Sequence, residues 1–379
     1  MSLASSHAVL ALALLAAAPS WAGAAPEAAA PLGGGTPGPV RQLFLDPAAA
    51  DARGMERASF SARLESVNSW SVPCVFVRDG RAVAVQLDAQ ADALALAIAL
   101  PWTLWRPGGW RERVFTTVSW RGTAFWGGFE DGGIEAWHHL AGAYNFSRQL
   151  HGRDAIHLRL AELGGARAFD LESSRLAWGD LAIGTQVRLA EGGASLVPGA
   201  AAGTARWAVA ARLELKLPTG SLARLGGSGH PDAGIVLLAT RELTPWAVVH
   251  GLLLGTVTAP LASPVALQPQ LFHGGIDLSL ALLAWGFTFL IEDRWLTPLM
   301  EGGWKAQDGG DDDLFLSSAY DALFRSHNQL SFGLRRGPFT LAFSEDFTLG
   351  SNPRARRTWF FSSNAPDTVV AFTFSAPLP

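Results

Sequence analysis

The chain has 379 residues, a length that admits two or three ordinary domains or one large barrel. Charged residues make up 16%, against about 25% in ordinary soluble proteins, and lysine occurs only at Lys216 and Lys305. A net charge of −4 excludes the basic field of a nucleic-acid binder, and 49% hydrophobic residues exclude disorder for most of the chain. The single cysteine, Cys74, excludes an intramolecular disulfide framework and a cysteine zinc cluster.

Residues 1–24 read as a signal peptide. Val9 to Ala18 is an almost unbroken apolar run, and Ala22-Gly23-Ala24 supplies the small-x-small cleavage pattern. Residues 25–57 open with a stretch rich in Ala, Pro and Gly, and are expected to be a disordered lead-in. From residue 58 to 379 the recurring pattern has period two. Trp207, Val209, Ala211, Leu213, Leu215 and Leu217 share one strand face, and Arg206, Arg212, Glu214 and Lys216 the other. Expected strands are 58–70, 81–90, 93–102, 154–163, 176–190, 204–217, 232–243, 246–257, 265–278, 281–293, 327–336, 338–347 and 366–376. A turn at Gln90-Ala91-Asp92 separates the second from the third.

Alternation alone also suits a soluble β-sandwich. Three features favour a membrane barrel. The polar faces carry many small residues, as a crowded lumen requires. The strands run about ten residues, enough to cross a bilayer at a tilt. Trp70, Trp102, Trp207, Trp246 and Trp359 lie near strand ends, where barrels place aromatic girdles. Prolines interrupt the uncharged stretch Leu243 to Ile276, so no helical span is required. The fold class is all-β: an antiparallel transmembrane β-barrel of 12 or 14 strands, since such barrels have even strand numbers.

Residues 111–150 do not alternate and are expected to form a loop or plug insert. Within them, 131–141 looks helical, because Ile134, Trp137 and Leu140 share a face, with Asp131 at its cap.

Four stretches resemble an uncharacterised Gram-negative envelope family, domain of unknown function 3187. They are Asp131-Gly-Gly-Ile-Glu135-Ala-Trp137-His138; Gly179-Asp180; Leu213-Glu-Leu-Lys216-Leu-Pro218-Thr219-Gly220 with Leu225-Gly-Gly-Ser228-Gly229-His-Pro-Asp232; and Glu345-Asp346 with Ala365-Pro366-Asp367. The resemblance spans about 58–376 and implies an outer-membrane-type barrel with no established activity.

Candidate sites are few. Glu135, His138 and His139 invite a metal reading, but neither the second Glu-x-x-His of a di-iron bundle nor the His-Glu-x-x-His of a zinc hydrolase is completed. Gly226-Gly227-Ser228-Gly229-His230 nearly fits a nucleophile elbow, which makes Ser228, His230 and Asp232 the catalytic candidates of a lipid hydrolase. Asp308 to Asp313 is acidic and reads as a solvated loop. Glu135, His138, Arg159, Arg188, Arg206, Arg212, Glu214, Lys216 and Arg335 are expected at the lumen, since charge on the lipid face is costly. No cofactor or metal is expected. The expected function is a passive channel or small-molecule binding barrel of the outer membrane; a lipid-modifying hydrolase and a structural or assembly barrel are the alternatives. Expected partners are outer-membrane lipid, the barrel-assembly machinery and a small solute, with no nucleic acid.

Overall fold

The computed structural model describes residues 30–33, 38–54, 57–69, 71, 73–104, 109–128, 132, 136, 155–197, 200, 203–307, 317–347 and 368–378. Seventeen strands form its sheet structure. In chain order they are β1 (Ser59–Ser69), β2 (Cys74–Arg78), β3 (Arg81–Pro101), β4 (Val114–Trp126), β5 (His157–Glu162), β6 (Arg167–Leu171), β7 (Arg175–Trp178), β8 (Leu181–Ala194) and β9 (Ala205–Leu217). The series continues with β10 (Asp232–Thr244), β11 (Ala247–Val257), β12 (Phe272–Ala284), β13 (Phe287–Leu296), β14 (Lys305–Ala306), β15 (His327–Arg336), β16 (Phe339–Phe347) and β17 (Thr368–Pro377). The described residues also include the α-helices α1 (Gly38–Arg41) and α2 (Ser317–Phe324), and 3-10 turns at Trp102–Leu104, Gly109–Arg113 and Leu222–Arg224.

Twelve of these strands close a barrel in which every neighbour is antiparallel. The order is β1, β3, β4, β8, β9, β10, β11, β12, β13, β15, β16, β17 and back to β1. Closure removes every open sheet edge, which a strand crossing lipid must do.

The alternation runs inside out relative to a soluble protein. On β10, Ile235, Leu237 and Leu243 are exposed, while Asp232, Thr240 and Glu242 are buried. On β11, Leu253 is exposed and His250 buried; on β12, Ile276 and Leu278 are exposed while Asp277 and Ser279 are buried. On β13, Phe289, Ile291 and Trp295 are exposed, and Glu292 and Arg294 buried. The exposed faces thus make an apolar belt, and the buried faces an interior in which charged and polar side chains lie beside apolar patches such as Val236, Leu238, Leu252 and Leu254. Exposed Trp207, Trp246 and Trp285 lie toward one end of this belt, and Trp178, Phe272 and Trp295 toward the other. Of the five tryptophans expected in girdles, Trp207 and Trp246 take such places. Trp102 is half-buried beyond the end of β3, and Trp70 and Trp359 lie outside the described residues.

The two ends of the barrel differ. At one, strands are joined by tight turns at Pro245-Trp246, Trp285-Gly286 and Gly337-Pro338. Trp285 and Gly286 both have positive φ (53° and 77°), the conformation a two-residue hairpin turn requires. At the other end lie the long connections 218–231, 258–271 and 297–326. There β3 runs past the barrel rim, and its first half joins a second sheet of order β14, β2, β3, β5, β6. This sheet, α2 and the long connections share an apolar core that includes Phe76, Val83, Leu160, Leu267, Met300 and Leu323. It caps the barrel. Cys74 is buried in that core, where it acts as a small apolar side chain.

Several sequence expectations need correction. The thirteen expected strands become twelve by three changes. Residues 81–90 and 93–102 are one 21-residue strand, β3, because Gln90 and Asp92 make no turn; they bond Ser66 and Trp126 across neighbouring strands. Residues 154–163 give β5, which belongs to the cap. Residues 114–126, expected in an insert, form barrel strand β4. The expected strands 265–278 and 281–293 shift to β12 and β13, with the turn at Trp285-Gly286. Of the expected helix 131–141, Gly132 and Ala136 are helical, and its other residues lie outside the described set, as do Asp308 to Asp313. Residues 1–24 lie outside it as well.

Candidate functional site: a lumen occupied by residues 30–33 and 38–54

The largest departure concerns the expected disordered lead-in. Residues 30–33 and 38–54 run inside the barrel. Ala30 and Pro31 offer their carbonyls to Arg335, near the tight-turn end, at 2.7 and 3.3 Å. Leu32 donates its N–H to Glu292 Oε2 (3.0 Å) and accepts from Arg63 (2.8 Å). The stretch from α1 to Leu45 lies under the cap: Val40, Leu43 and Phe44 enter the cap core, and Arg41 donates to the Thr297 carbonyl. The chain then descends. Asp46 pairs with Arg294 (2.7 Å), and Arg294 also donates to the Pro47 carbonyl (2.8 Å). The Ala48 carbonyl accepts from Arg212. Gln186 donates to the Asp51 carbonyl (3.0 Å), the Ala52 N–H donates to Thr240 Oγ1 (2.9 Å), and Arg188 donates to the Arg53 carbonyl (2.9 Å). Arg53 closes the series with ion pairs to Asp51 (2.7 Å) and to buried Glu242 (2.6 Å). Glu242 also accepts from Ser195 Oγ (2.8 Å).

The reason for this placement is electrostatic. A polar wall inside an apolar belt must have its donors and acceptors satisfied, or each costs a desolvation penalty. The segment supplies carbonyls to the arginines and N–H groups to the acids. Its alanines are small enough to lie close to the wall.

Lys216 is the densest node. Its buried ammonium pairs with Asp180 (2.7 Å) and Asp232 (3.1 Å), and donates to Ser228 Oγ (2.7 Å) and the Leu43 carbonyl (2.8 Å). Asp232 in turn accepts the Leu45 and Ala259 N–H groups, and Asp180 that of Gly220. The run 218–229 packs directly on this node. A Cβ at Gly226 would collide with the Trp178 carbonyl, and one at Gly227 with the Asp180 carboxylate.

This geometry places the catalytic candidates. Ser228 and Asp232 both meet Lys216, but the His230 ring turns away and bonds the Pro260 carbonyl (2.8 Å). Ser228 is fully buried, and its hydroxyl meets an ammonium already flanked by two carboxylates. The three residues are therefore brought near one another as structural links between barrel, segment and cap, without the serine–histidine contact a triad needs.

The lumen candidates divide. Arg212, paired with Glu214 at 2.6 Å, and Lys216, Arg188 and Arg335 face the interior. Arg206 does too, and donates to the Glu242 main chain (3.3 Å). Arg159 does not: it sits on β5 in the cap, is half-buried, and faces Asp170 at 3.8 Å. Glu135 and His138 lie outside the described residues. Among those described, no group of three His, Cys, Asp or Glu gathers as a metal site. Residues that sequence reasoning missed include Asp46, Asp51, Arg53, Arg63, Glu242, Glu292 and Arg294. Arg63, Glu242, Glu292 and Arg294 lie on inward strand faces and were legible by parity. Asp46, Asp51 and Arg53 needed the path of the segment.

No protein-family profile matches the chain, and no curated protein matches it. Solved structures do. An outer membrane channel from Pseudomonas putida F1 aligns with 88% of this chain and 100% of its own at 10% identity and TM-score 0.44. The Pseudomonas putida toluene transporter TodX aligns over 93% and 96% at 9% identity and TM-score 0.35. CdiB from Acinetobacter baumannii aligns over 87% and 61% at 10% identity and TM-score 0.34. These similarities are weak and extend to the barrel architecture alone.

The wall retains polar atoms that neither strand nor segment satisfies. Asp277 Oδ2, Ser279 Oγ, Gln329 Oε1 and Ser331 Oγ are buried without a hydrogen-bond partner. Register puts Asp277 beside Arg294 and Arg294 beside Gln329, with Ser279, Glu292 and Ser331 in the adjacent row. Among the described residues, Gln186 Oε1 and Arg188 Nε on β8 are likewise buried without a partner, so such atoms occur on both sides of the lumen.

Proposed function

We propose that this protein is an outer-membrane β-barrel that serves as a passive channel, held shut in the described state by residues 30–33 and 38–54. The observation that carries the reading is a closed barrel with an apolar exterior and a polar interior, whose interior is occupied by a separable segment and not by strand side chains alone. A barrel that served only as scaffold would not need charged side chains on so many inward positions. The short turns at one end and long connections at the other match the usual periplasmic and external ends of such barrels. Outer-membrane lipid and the machinery that inserts barrels are then the general partners, and a small polar solute is the cargo.

The test is conductance in planar bilayers, with solute uptake into liposomes as a second readout. The wild-type chain is expected to be closed for most of the recording. Arg53→Ala and Arg294→Ala each remove an ion pair between segment and wall, and should raise open probability several-fold. Absence of conductance and uptake in the wild type and in both variants would sink the channel reading.

A further inference from the structure

The contacts between wall and segment have a chemistry of their own. Barrel side chains bond the segment mainly through its peptide groups. In three places they hold both poles of a single peptide unit. The 51–52 unit gives its carbonyl to Gln186 and its N–H to Thr240. The 31–32 unit gives its carbonyl to Arg335 and its N–H to Glu292. The 32–33 unit gives its carbonyl to Arg63 and its N–H again to Glu292. Around the 51–52 unit the segment presents the small side chains of Ala49, Ala50 and Ala52, which pack on an apolar patch of the wall that includes Val236, Leu238 and Leu252.

A wall arranged this way recognises an amide. An inorganic cation would use the acids and leave the arginines unserved; an anion would do the reverse. A sugar could meet both, but would not repeat a donor and an acceptor at the spacing of a peptide unit. We propose that the lumen wall is a sequence-tolerant binding site for an extended polypeptide with small side chains, and that residues 31–33 and 46–54 are its intramolecular occupants. A peptide from outside would exchange like for like, bond for bond. It must compete with a tethered segment whose effective concentration is on the order of millimolar, so binding shows only when the tethered copy is weakened. The proposal rests on the channel reading in one respect, that the segment can leave.

The test uses the full chain in detergent micelles or lipid nanodiscs. A fluorescein-labelled peptide of residues 46–54 is titrated and its anisotropy read, with wild type, Arg53→Ala, and Arg53→Ala combined with Asp46→Ala. Two further peptides accompany it, one with the order of its small residues scrambled and one N-methylated at the amide of Ala52. Both weakened variants should bind the parent peptide at least about tenfold more tightly than wild type does. The scrambled peptide should bind within about threefold of the parent, and the methylated one about tenfold more weakly, as the loss of one buried hydrogen bond implies. Adding Thr240→Val should abolish the discrimination against methylation. No saturable binding to either weakened variant overturns the proposal, whether or not their conductance rises. Raised conductance without binding would leave the channel reading standing and remove this one. Binding that depends on the order of small residues would also overturn it.

Discussion

Lys216 shows how one charge can organise a barrel interior. It bridges β9 to Asp180 ahead of β8 and to Asp232 at the start of β10, and it reaches the segment at Leu43. Removing it would leave two buried carboxylates facing each other. Lys216→Met is therefore expected to destabilise the fold by about 3–5 kcal/mol, the cost of breaking a buried pair from one side. The temperature at which the folded band converts to the unfolded one in a heat-modifiability gel reads this. Combining Lys216→Met with Asp180→Asn and Asp232→Asn should recover much of the loss. If the triple variant is as unstable as the single, lost packing and not orphaned charge is the cause. Ser228→Ala should leave any lipid-releasing activity unchanged, since the hydroxyl is enclosed and its histidine neighbour faces away.

The connection between β9 and β10 illustrates what sequence can and cannot say about a loop. Its glycines suggested a catalytic elbow; the structure gives them a packing role. Gly226 lies so close to the Trp178 carbonyl that Gly226→Ala must displace main chain. A cost of about 1–3 kcal/mol is expected from such overpacking, again as a lowered conversion temperature. A variant with unchanged stability would show that the connection can shift away from β7.

The barrel strands were largely legible, because an inside-out barrel writes a strict period of two into each. Strand β9 was read to within a residue, since Trp207 to Leu217 alternates without a break. Strand β4 was missed because Thr116, Thr117, Ser119 and Gly122 blur its two faces. The cap strands were misread for a different reason: β5 alternates as well as any barrel strand, and only pairing partners tell a barrel from a second sheet. The segment 30–54 was the least legible. Its Ala-, Pro- and Gly-rich opening reads as disorder. What orders the segment is distant: Val40, Leu43 and Phe44 enter the cap core, and arginines and acids of the wall, each readable as a lumen charge, bond its peptide groups, a common ligand that no local pattern reveals.

For the molecule as a whole, the solvent of the outer surface is the property most open to test. Leu253 is exposed at the middle of β11. In water, Leu253→Arg would be close to neutral. Facing the centre of a bilayer, it should cost about 2–4 kcal/mol. Unfolding titrations in lipid vesicles would read that difference, and a neutral result would place this face in water. The same logic makes Trp285, at a turn tip with 91% of its surface exposed, a tolerated site in water and an anchor at a lipid interface.

The path of the inner segment carries a topological consequence. Residues 30–33 lie near the tight-turn end, 38–45 beneath the cap, and 46–54 return to the end where β1 starts. The descending limb is thus tethered a few residues ahead of the ring that it fills, and leaves the lumen as a loop anchored at that end. Withdrawal of the whole segment would strip Val40, Leu43 and Phe44 from the cap core and the Leu43 carbonyl from Lys216. Emptying the lumen and loosening the cap are therefore one coupled event, with the lid undone from beneath by the same chain that fills the bore.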